Sequence, residues 1–523
     1  MKINLLDYQS SSLHDIVKKH YQLDDQSFEE LLDFTMSDPL DIQNMKECLQ
    51  ILQDIQRKKE KILICGDYDC DGICATAILC IAFEAIQLDY GFYIPHRIQE
   101  GYGLSVETLK KALEKGYTNI ITVDNGVGCK DAMQFAKENK MRFILTDHHK
   151  YDVDNINCDC MIHPFLNDDA FKNCCGAGMA LQVARCFIPD NKEIVALAAI
   201  ATLADCMPVT QENRKIIKNG IDYLNDGCCP AIHALKSKPE DILDMKTITY
   251  SIIPKINSMG RLADKVNTNN AVRYLLLKDN NTILNVAAQI NQLNDERKQM
   301  TSSMEKTALG EIENVPFEII CHKDFHEGIV GLVASKMASQ FNRPFLILSE
   351  LEDEYKGSMR SIEGFDLVDY FKEFDGFSSF GGHAQAAGVS LKKEKLQELK
   401  NYIQTHEMKI EDSEKTMDAV LVDEEMLSLQ EVSEYLKIAP FGNGFEEINF
   451  YIDSIHIRQK IPLSNGRFMK IISNGGIEYL LFKSSLLEKV KEDMKVIGRL
   501  KISYFKGQYQ VNVIVDEIIE DYI

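Results

Sequence analysis

Residues 61–205 repeat one pattern, in which a short apolar run leads to an acidic or imidazole side chain and a helical stretch follows. The four runs lead in turn to these residues: KILIC to Asp67, NIITV to Asp124, RFILT to Asp147 and CMI to His163. Each run is short and rich in β-branched residues, which favours a buried strand of a parallel sheet. Ligands of such α/β sheets bind at the carboxyl ends of the strands. The pattern therefore predicts an α/β domain with a polar site along one edge of its sheet.

The remainder of the 523-residue chain changes pattern several times. The runs FEIIC and PFLILS, with a helical stretch between them, predict a second and smaller α/β domain. Five short strand candidates after residue 446 predict a small barrel such as an OB-fold. The predicted plan is an N-terminal extension (1–44), the first α/β domain (45–264), a helical connector (265–312), the second α/β domain (313–407), a linker (408–445) and the OB-like domain (446–523).

The charge balance is acidic overall but not uniform. The chain has 58 Lys and Arg against 80 Asp and Glu, a net charge of −22 that by itself argues against a nucleic-acid partner. Residues 451–510 reverse this, with 11 Lys and Arg against 5 Asp and Glu. OB-folds hold single strands in a basic groove with aromatic platforms, although such rings also form barrel cores. The aromatic candidates are Phe468, Tyr479, Phe482, Tyr504, Phe505 and Tyr509, and the predicted nucleic-acid contacts are Arg467, Phe468 and Lys470.

The cysteines and the hydropathy indicate a cytoplasmic protein. The chain has 15 cysteines, an odd number that includes the adjacent pairs Cys174–Cys175 and Cys228–Cys229. This usage favours reduced thiols over a disulfide framework. The amino terminus lacks the apolar core of a signal peptide, and no apolar run is long enough to cross a membrane.

The stretch GDYDCDG (66–72) places Asp67, Asp69 and Asp71 at the spacing of an EF-hand calcium loop. That loop needs a bidentate Glu at its twelfth position, which here is Ile78. One Asp before a helix would be explained as an N-cap, but three within five residues repel one another unless cations hold them. The stretch therefore predicts a divalent metal site other than an EF-hand.

The other strand ends supply more donors of the same kind. VDNG brings Asp124, TDHH brings Asp147 with His148 and His149, and Asp205 ends an apolar helix. Buried carboxylates of this kind need cations or hydrogen bonds. Mixed carboxylate and imidazole ligands suit Mn²⁺, and a carboxylate-rich pair of sites also suits Mg²⁺. Two such ions a few Å apart are the arrangement of phosphoester-cleaving enzymes.

The set GDYDCDG, VDNG, TDHH and ADCMP resembles, in order and spacing, the four successive motifs of the DHH phosphoesterase superfamily. Within it, the chain from about residue 45 to 523 is similar to the RecJ-type exonucleases. The segments that carry this closer resemblance are PKINSMGR, FHEGIVGLVASKMA, GSMRS, FGGHAQAAG and PFGNGFEE. The resemblance implies a DHH domain, a DHH-associated substrate-binding domain and an OB domain.

The resemblance also implies roles for individual residues. Two Mn²⁺ or Mg²⁺ ions would be held by Asp69, Asp71, Asp124, His148 and Asp205, with Asp124 bridging them. The catalytic group would be His149 at the scissile phosphate, Asp147 orienting the histidines, and Asp124. Asp67 would be a second-layer residue or a helix partner. Two positions depart from relatives: Cys65 stands where pyrophosphatase-like members have a His, and Lys255 stands where an arginine is common.

The second domain is expected to bind substrate phosphates. GGHAQAAG is interpreted as a glycine-rich turn that opens a helix, where backbone amides favour anions. The guanidinium fork of an arginine suits phosphate as well. By the resemblance, the phosphate-binding residues are Arg261, Arg360, Ser361, Gly381, Gly382 and His383.

The function that the resemblance implies is a monomeric, metal-dependent, single-strand-specific 5′-to-3′ DNA exonuclease that releases mononucleotides in repair and recombination. Its implied partners are single-stranded DNA, a RecQ-type helicase and a single-strand-binding protein. Two alternatives stay open at this point. One is a DHH enzyme of short oligonucleotides or cyclic dinucleotides, and the other is a non-catalytic DNA-binding scaffold.

Overall fold

The computed structural model describes residues 2–10, 12–168, 170–410, 416–505 and 507–520, without the side chain of Phe505, so that this predicted aromatic contact lies outside the description. The described residues form two units. Unit 1 comprises those of 1–35, 208–210 and 414–523, and unit 2 comprises those of 36–207 and 211–413.

The described residues contain seventeen strands. They are β1 (Lys2–Leu6), β2 (Lys61–Cys65), β3 (Tyr90–Tyr93), β4 (Tyr117–Thr122), β5 (Arg142–Thr146), β6 (Cys160–Ile162), β7 (Glu318–His322), β8 (Phe345–Glu350), β9 (Glu354–Arg360), β10 (Ser379–His383), β11 (Ala386–Lys392), β12 (Thr416–Val422), β13 (Phe450–Leu463), β14 (Phe468–Ser473), β15 (Glu478–Leu481), β16 (Asp493–Phe505) and β17 (Gln508–Ile519).

The same residues contain nineteen α-helices. They are α1 (Leu13–His20), α2 (Asp25–Leu32), α3 (Met45–Lys58), α4 (Cys70–Ala85), α5 (Val106–Glu114), α6 (Lys130–Glu138), α7 (Gly176–Arg185), α8 (Lys192–Ala204), α9 (Gln211–Asn225), α10 (Pro230–Ala234), α11 (Met245–Thr247), α12 (Ile253–Arg261), α13 (Asn269–Leu275), α14 (Asn280–Gly310), α15 (Val330–Phe341), α16 (Leu367–Tyr370), α17 (Leu396–Thr405), α18 (Leu429–Leu436) and α19 (Ser484–Leu487).

The first sheet of unit 2 is parallel and has the order β3-β2-β4-β5-β6. The four apolar runs that the sequence predicted as strands are β2, β4, β5 and β6, and β3 (YGFY) is an additional strand. Helix α4 is buried on nearly all sides because it packs between this sheet and α7 and α8, which explains its almost continuous apolar sequence. The predicted helical connector contains α13 and the long α14, and the apolar helix predicted before Asp205 is α8.

The second sheet of unit 2 has the order β10-β11-β9-β8-β7, with β7 and β8 parallel and the other neighbours antiparallel. The GGHAQAAG segment lies in this sheet as the β10–β11 hairpin, with its turn at residues 384–385. The prediction of a turn that opens a helix is therefore wrong. Strand β11, which begins within this segment, buries Ala387, Val389 and Leu391 in the core at a spacing of two, which is the period of a strand.

Unit 1 contains a seven-stranded sheet of order β1-β12-β13-β14-β15-β17-β16, and the additional pairing of β13 with β16 closes its last five strands into a barrel. This is the predicted OB-like barrel. Most of the predicted extension and linker, namely the described residues of 1–35 and 414–445, are part of the same unit rather than separate from it, whereas residues 36–44 and 408–410 belong to unit 2. Strand β1 pairs with β12, β12 pairs with β13, and α1 packs against α18. Their apolar side chains, such as Val17 and Val420, complete the barrel's core cluster.

Two general features concern the whole described chain. None of the described helices is long and apolar enough to cross a membrane. All 15 cysteines are free thiols, as the prediction of reduced cysteines expected.

Candidate active site

The carboxylates of GDYDCDG are positioned by the turn from β2 into α4. Asp69 is the N-cap of α4, and its Oδ1 accepts hydrogen bonds from the amides of Asp71 (3.0 Å) and Gly72 (3.2 Å). A Cβ atom at Gly72 would lie 2.5 Å from the backbone nitrogen of Asp67, so only glycine lets the helix approach so closely. Asp67 and Asp71 are buried, with 3% and 2% of their surface exposed.

Asp124 follows β4 in the left-handed backbone region, with a φ of 58°. This region is open to Asp and Asn more than to other residues with a side chain, and such strained residues cluster at functional sites. Asn125 stabilises the turn because its Nδ2 donates to the carbonyl oxygens of Cys65 and Val123, each at 2.9 Å. The turn directs the buried Asp124 carboxylate towards the GDYDCDG residues.

The segment after β5 arranges the two adjacent histidines around Asp147. The Oδ1 of this fully buried residue accepts from the amide of His148 (2.7 Å) and from Nδ1 of His149 (2.8 Å), and its Oδ2 accepts from the amide of Val127 (3.0 Å). Because Nδ1 of His149 is bound to a carboxylate, its Nε2 is left for other partners. The carbonyl oxygen of His149 lies 3.0 Å from Nε2 of the buried His163.

The predicted metal ligands come together at the strand ends. Nε2 of His148 lies 3.1 Å from Oδ1 of Asp124, 3.7 Å from Oδ2 of Asp205 and 3.9 Å from Oδ2 of Asp71. Three sets of side chains offer ligand atoms within 4.8 Å of one another: Asp71 with His148 and Asp205, Asp67 with Asp69 and Asp124, and Asp124 with His148 and His149. Asp124 belongs to two of these sets, and Asp67 groups with the predicted ligands.

The electrostatics of this cluster favour bound cations. Burial and then the charge of a neighbouring aspartate raise the pKa of Asp67, Asp69 and Asp124, and the same causes raise the pKa of Asp205 to about 8. The buried atoms Oδ1 of Asp67 and Oδ1 of Asp124 have no hydrogen-bond partner. Buried oxygens of this kind are costly unless a cation binds them. The donor set therefore fits Mn²⁺ or Mg²⁺.

The two histidines differ in protonation. Burial lowers the pKa of His148, which suits a neutral metal ligand. Burial also acts to lower the pKa of His149, but the hydrogen bond and the charge of Asp147 outweigh it, and the net pKa is raised. His149 therefore carries a proton at a higher pH than an ordinary histidine.

Tyr102 belongs to this site although no sequence motif indicated it. Its hydroxyl donates to the carbonyl oxygen of Asp124 (3.0 Å) and lies 3.1 Å from Nδ1 of His149. The ring packs edge-on against His149 at a centroid distance of 5.5 Å. Tyr102 thus connects the histidine to the backbone of a predicted ligand. Its neighbours in the sequence, EGYGLS, form no recognisable catalytic or metal-binding motif.

A group of four arginines lies beside the carboxylates. It consists of Arg97, Arg261, Arg297 and Arg360, of which the sequence analysis predicted only Arg261 and Arg360. Burial and then the charges of the other three lower the pKa of Arg261 to about 9. Within the described residues, none of the four forms an ion pair. Guanidiniums that lie close together and form no ion pair favour the binding of anions such as phosphates.

A cleft of about 1050 Å³ in unit 2 connects these residues with the second sheet. Its lining includes Tyr68, Arg97, Tyr102 and His149, together with the predicted residues Gly381, Gly382 and His383 from β10. Arg360 is fixed by hydrogen bonds to Oγ of Ser358 (2.6 Å) and Oγ of Ser335 (3.0 Å). Ser361 differs from the prediction in one respect, because its hydroxyl donates to the carbonyl oxygen of Phe365 (2.7 Å) in its own loop.

The two positions that depart from relatives lie away from the ligands. Burial raises the pKa of the Cys65 thiol, which keeps it protonated, and Cys65 belongs to none of the potential metal-binding groups of the described residues. The Nζ of Lys255 is buried and donates to the carbonyl oxygen of Leu235. Lys255 is therefore a packing residue of α12.

The predicted nucleic-acid contacts of unit 1 lie at the β13–β14 hairpin. Arg467 is exposed. Phe468 packs edge-on against Phe482 at 5.6 Å. Lys470 forms an ion pair with Glu478 at 2.8 Å, which neutralises it in part. Tyr479 is fully buried in the barrel core and cannot stack on a base.

Three family models match the chain in the order of the predicted domains. The DHH family N-terminal domain matches residues 61–207, the DHHA1 domain matches residues 313–406, and the RecJ OB domain matches residues 417–517. The carboxylate and imidazole cluster lies within the first of these and at its sheet edge. The chain belongs to the DHH family and has the domain complement of its RecJ-type members.

Two curated proteins are similar to this chain over most of its length. The single-stranded-DNA-specific exonuclease RecJ of Bacillus subtilis is 32% identical over 424 residues, which are 77% of this chain and 53% of that protein, so the match spans about half of its length. The protein of the same name from Haemophilus influenzae is 27% identical over 531 residues, which are 92% of each chain.

Solved structures support the fold. The structure of RecJ from Thermus thermophilus in complex with Mn²⁺ has a TM-score of 0.79 at 23% identity and covers 94% of this chain and 74% of that chain. A structure of exonuclease RecJ bound to manganese has a TM-score of 0.60 at 26% identity over 69% of this chain and 94% of that chain.

Proposed function

We propose that this chain is a metal-dependent, single-strand-specific 5′-to-3′ DNA exonuclease that releases 5′-mononucleotides. The observation that carries the proposal is the pairing of a buried carboxylate and imidazole cluster with an uncompensated group of arginines beside one cleft. The first suits divalent cations, and the second suits the phosphates of a strand. The curated relatives from Bacillus subtilis and Haemophilus influenzae are named single-stranded-DNA-specific exonucleases.

The side chains have distinct tasks in this proposal. Asp69, Asp71, Asp124, His148 and Asp205 would hold divalent ions, which would supply an activated water and neutralise the phosphate charge. Arg261 and Arg360 bind substrate phosphates and orient the strand. Protonated His149, held by Asp147 and Tyr102, donates a hydrogen bond from Nε2 to the scissile phosphate or the leaving oxygen. Asp67 completes the cluster as a further ligand or as its second layer.

An assay with Mn²⁺ or Mg²⁺ and long single strands labelled at the 5′ or the 3′ end tests the proposal. The expected products are labelled mononucleotides from the 5′ end at early times, with the 3′ label kept in long strands. Duplex DNA with blunt ends is expected to resist cleavage. Early release of the 3′ label would contradict the polarity.

The same assay separates the two alternatives. An enzyme of short substrates would cleave two- to five-nucleotide oligomers and leave long strands intact. A scaffold would bind the strand without cleaving it, and Asp124→Ala would change nothing. Binding without cleavage would contradict the proposed catalytic activity. Cleavage of short oligomers only would contradict the proposed substrate.

A pair of tyrosines in unit 1 is expected to contact the bases of the strand. Tyr504 and Tyr509 face each other across the β16–β17 hairpin, 65% and 64% exposed, with ring centroids 4.8 Å apart. In OB-folds this loop and the first hairpin loop contact oligonucleotides, and base stacking contributes about 1–3 kcal/mol per base. Replacing both tyrosines with Ala is expected to weaken binding of a long single strand about tenfold or more. Fluorescence anisotropy of a labelled single strand measures this affinity.

Tyr250→Ala is the matched control for this pair, because Tyr250 is 78% exposed but lies in unit 2 and outside the cleft lining. Its affinity for the strand should equal that of the unchanged protein. Equal affinities for all three proteins would show that the hairpin tyrosines do not contact DNA.

The remaining proposals concern the cellular location, the oligomeric state and the protein partners of the enzyme. We infer a cytoplasmic monomer that acts on strands exposed by a RecQ-type helicase and coated by a single-strand-binding protein. The free cysteines are consistent with a reducing compartment. Co-purification with the helicase, and the mass of the protein in solution, test these two points separately.

A further inference from the structure

The buried carboxylate of Asp71 is bound by the first turn of α7. Its Oδ2 accepts from the amide of Gly176 (2.8 Å), and its Oδ1 accepts from the amide of Ala177 (2.7 Å). Both oxygens are therefore directed by backbone groups that the helix itself does not use. Hydrogen bonds from amides to an ionised carboxylate at a helix N-terminus are among the stronger ones. Asp71 thus has a fixed orientation before any cation binds.

The same turn also contacts Asp124. A Cβ atom at Gly176 would lie 2.4 Å from Cβ of Asp124 and 2.7 Å from its Oδ1. Real Cβ atoms do not approach other atoms so closely, and Asp124 cannot withdraw easily because its backbone is already in the left-handed region. Gly176 therefore provides the space that the Asp124 side chain occupies. The buried Oδ1 atom of Asp124 forms no hydrogen bond within the described residues, and Nε2 of the predicted ligand His148 lies 3.1 Å from it, as expected for two atoms that bind one cation.

We propose that the first turn of α7, with Gly176 at its start, is the positioning element that sets the Asp71 and Asp124 carboxylates for the divalent ions. These two residues follow different strands, β2 and β4, and one rigid helix end contacts both. Gly176 touches no substrate atom in this proposal. It acts through the ligands, so its effect belongs to ion affinity and the resulting activity. The proposal rests on the metal-dependent part of the proposed function and not on its DNA specificity.

The test compares Gly176→Ala with Gly178→Ala. Both glycines are buried in the first turn of α7, so the two changes alter helix propensity equally. At Gly178 the three atoms nearest to an added Cβ belong to the side chains of Cys174, at 3.1 and 3.7 Å, and Cys175, at 3.8 Å, and none of them belongs to a carboxylate. Isothermal titration of the metal-free full chain with MnCl₂ measures the affinity without DNA. Circular dichroism and the thermal midpoint of the metal-free proteins report the fold.

Gly176→Ala is expected to weaken Mn²⁺ binding by about 10- to 100-fold, the usual effect of disturbing groups that orient metal ligands. Gly178→Ala should bind Mn²⁺ within about twofold of the unchanged protein. The cleavage rate of Gly176→Ala should recover as the Mn²⁺ concentration is raised, which a damaged fold would not do.

A second variant keeps the proposal testable if Gly176→Ala does not fold. Ala177→Pro removes one amide donor to Asp71 at a first-turn position where proline is tolerated, and it should also weaken Mn²⁺ binding. Unchanged Mn²⁺ affinity in a folded variant, or equal losses in Gly176→Ala and Gly178→Ala, would overturn the proposal. If the unchanged protein cleaves only short oligomers, the DNA specificity fails while the difference in Mn²⁺ affinity stands.

Discussion

Replacing Asp124 with Asn is expected to lower the rate of DNA cleavage by about 10⁴-fold, which is about 5 kcal/mol of transition-state stabilisation. Asp124 belongs to two of the three potential metal-binding groups, so its loss affects both halves of the cluster. An amide is nearly the size of the carboxylate, and the backbone at this position tolerates Asn. The loss of activity should therefore occur without a loss of fold.

The same substitution is expected to stabilise the metal-free protein. Burial and the charge of Asp71 raise the pKa of Asp124, so the folded state disfavours its ionised form. A carboxyl whose pKa is raised on folding contributes stability below the ordinary value of about 4 and loses that contribution as the pH rises towards the folded value. Asn carries no such charge. The gain in stability of metal-free Asp124→Asn over the unchanged protein should therefore be small at pH 5 and larger at pH 8.

Thermal unfolding of the chelator-treated proteins at the two pH values measures this effect, at about 1 °C for each kcal/mol in a unit of this size. Added Mn²⁺ should raise the midpoint of the unchanged protein strongly and that of Asp124→Asn weakly, because only binding to the folded state stabilises it. Asp154→Asn is the matched control, since Asp154 is exposed in the same unit and has no role in the cluster. A lower midpoint of Asp124→Asn at pH 8 would contradict the repulsion argument.

The sequence predicted those candidate site residues that directly follow a recognisable strand. The proposed ligands Asp69, Asp71 and Asp124 follow buried strands of one parallel sheet, and parallel strands end at the same edge. His148 is adjacent to another strand end and obeys the same rule. Predicting that these residues lie together requires only that the strands be recognised and that they run parallel in one sheet. This is why the structure brings these residues within a few ångströms of one another.

Other contributions depend on contacts that no local pattern reports. Tyr102 reaches His149 from a loop, and Arg97 and Arg297 join Arg261 from segments far apart in sequence. The pairing of β1 with β12 joins residues more than 400 positions apart, so the two segments looked like an extension and a linker. The GGHAQAAG hairpin was mistaken for a helix start because its glycines fit both turns and strands.

The arginine group leads to the second large prediction. Arg261→Ala and Arg360→Ala are each expected to lower kcat/KM on long single strands about 100-fold, or about 3 kcal/mol, as for loss of a charge-assisted contact to phosphate. The structure leaves these guanidiniums without ion pairs, and their charges lower one another's pKa. Such an arrangement is unfavourable without an anion, so its retention argues for a phosphate ligand. Arg57→Ala removes an exposed arginine on α3 and should leave kcat/KM unchanged.

Measurements of the affinity for the single strand test the arginine–phosphate contacts more directly than cleavage rates do. In the Asp124→Asn background the strand is not consumed, so its affinity can be measured with Mn²⁺ present at several salt concentrations. Each arginine that contacts a phosphate should reduce the slope of log K against log salt by about 0.7 when it is removed. Arg360→Lys keeps the charge and loses the planar fork that Ser358 and Ser335 orient, so it should retain the slope but lose affinity. A slope unchanged by Arg261→Ala and Arg360→Ala would mean that the arginine group does not contact the strand, and the cleft would then need another phosphate-binding surface.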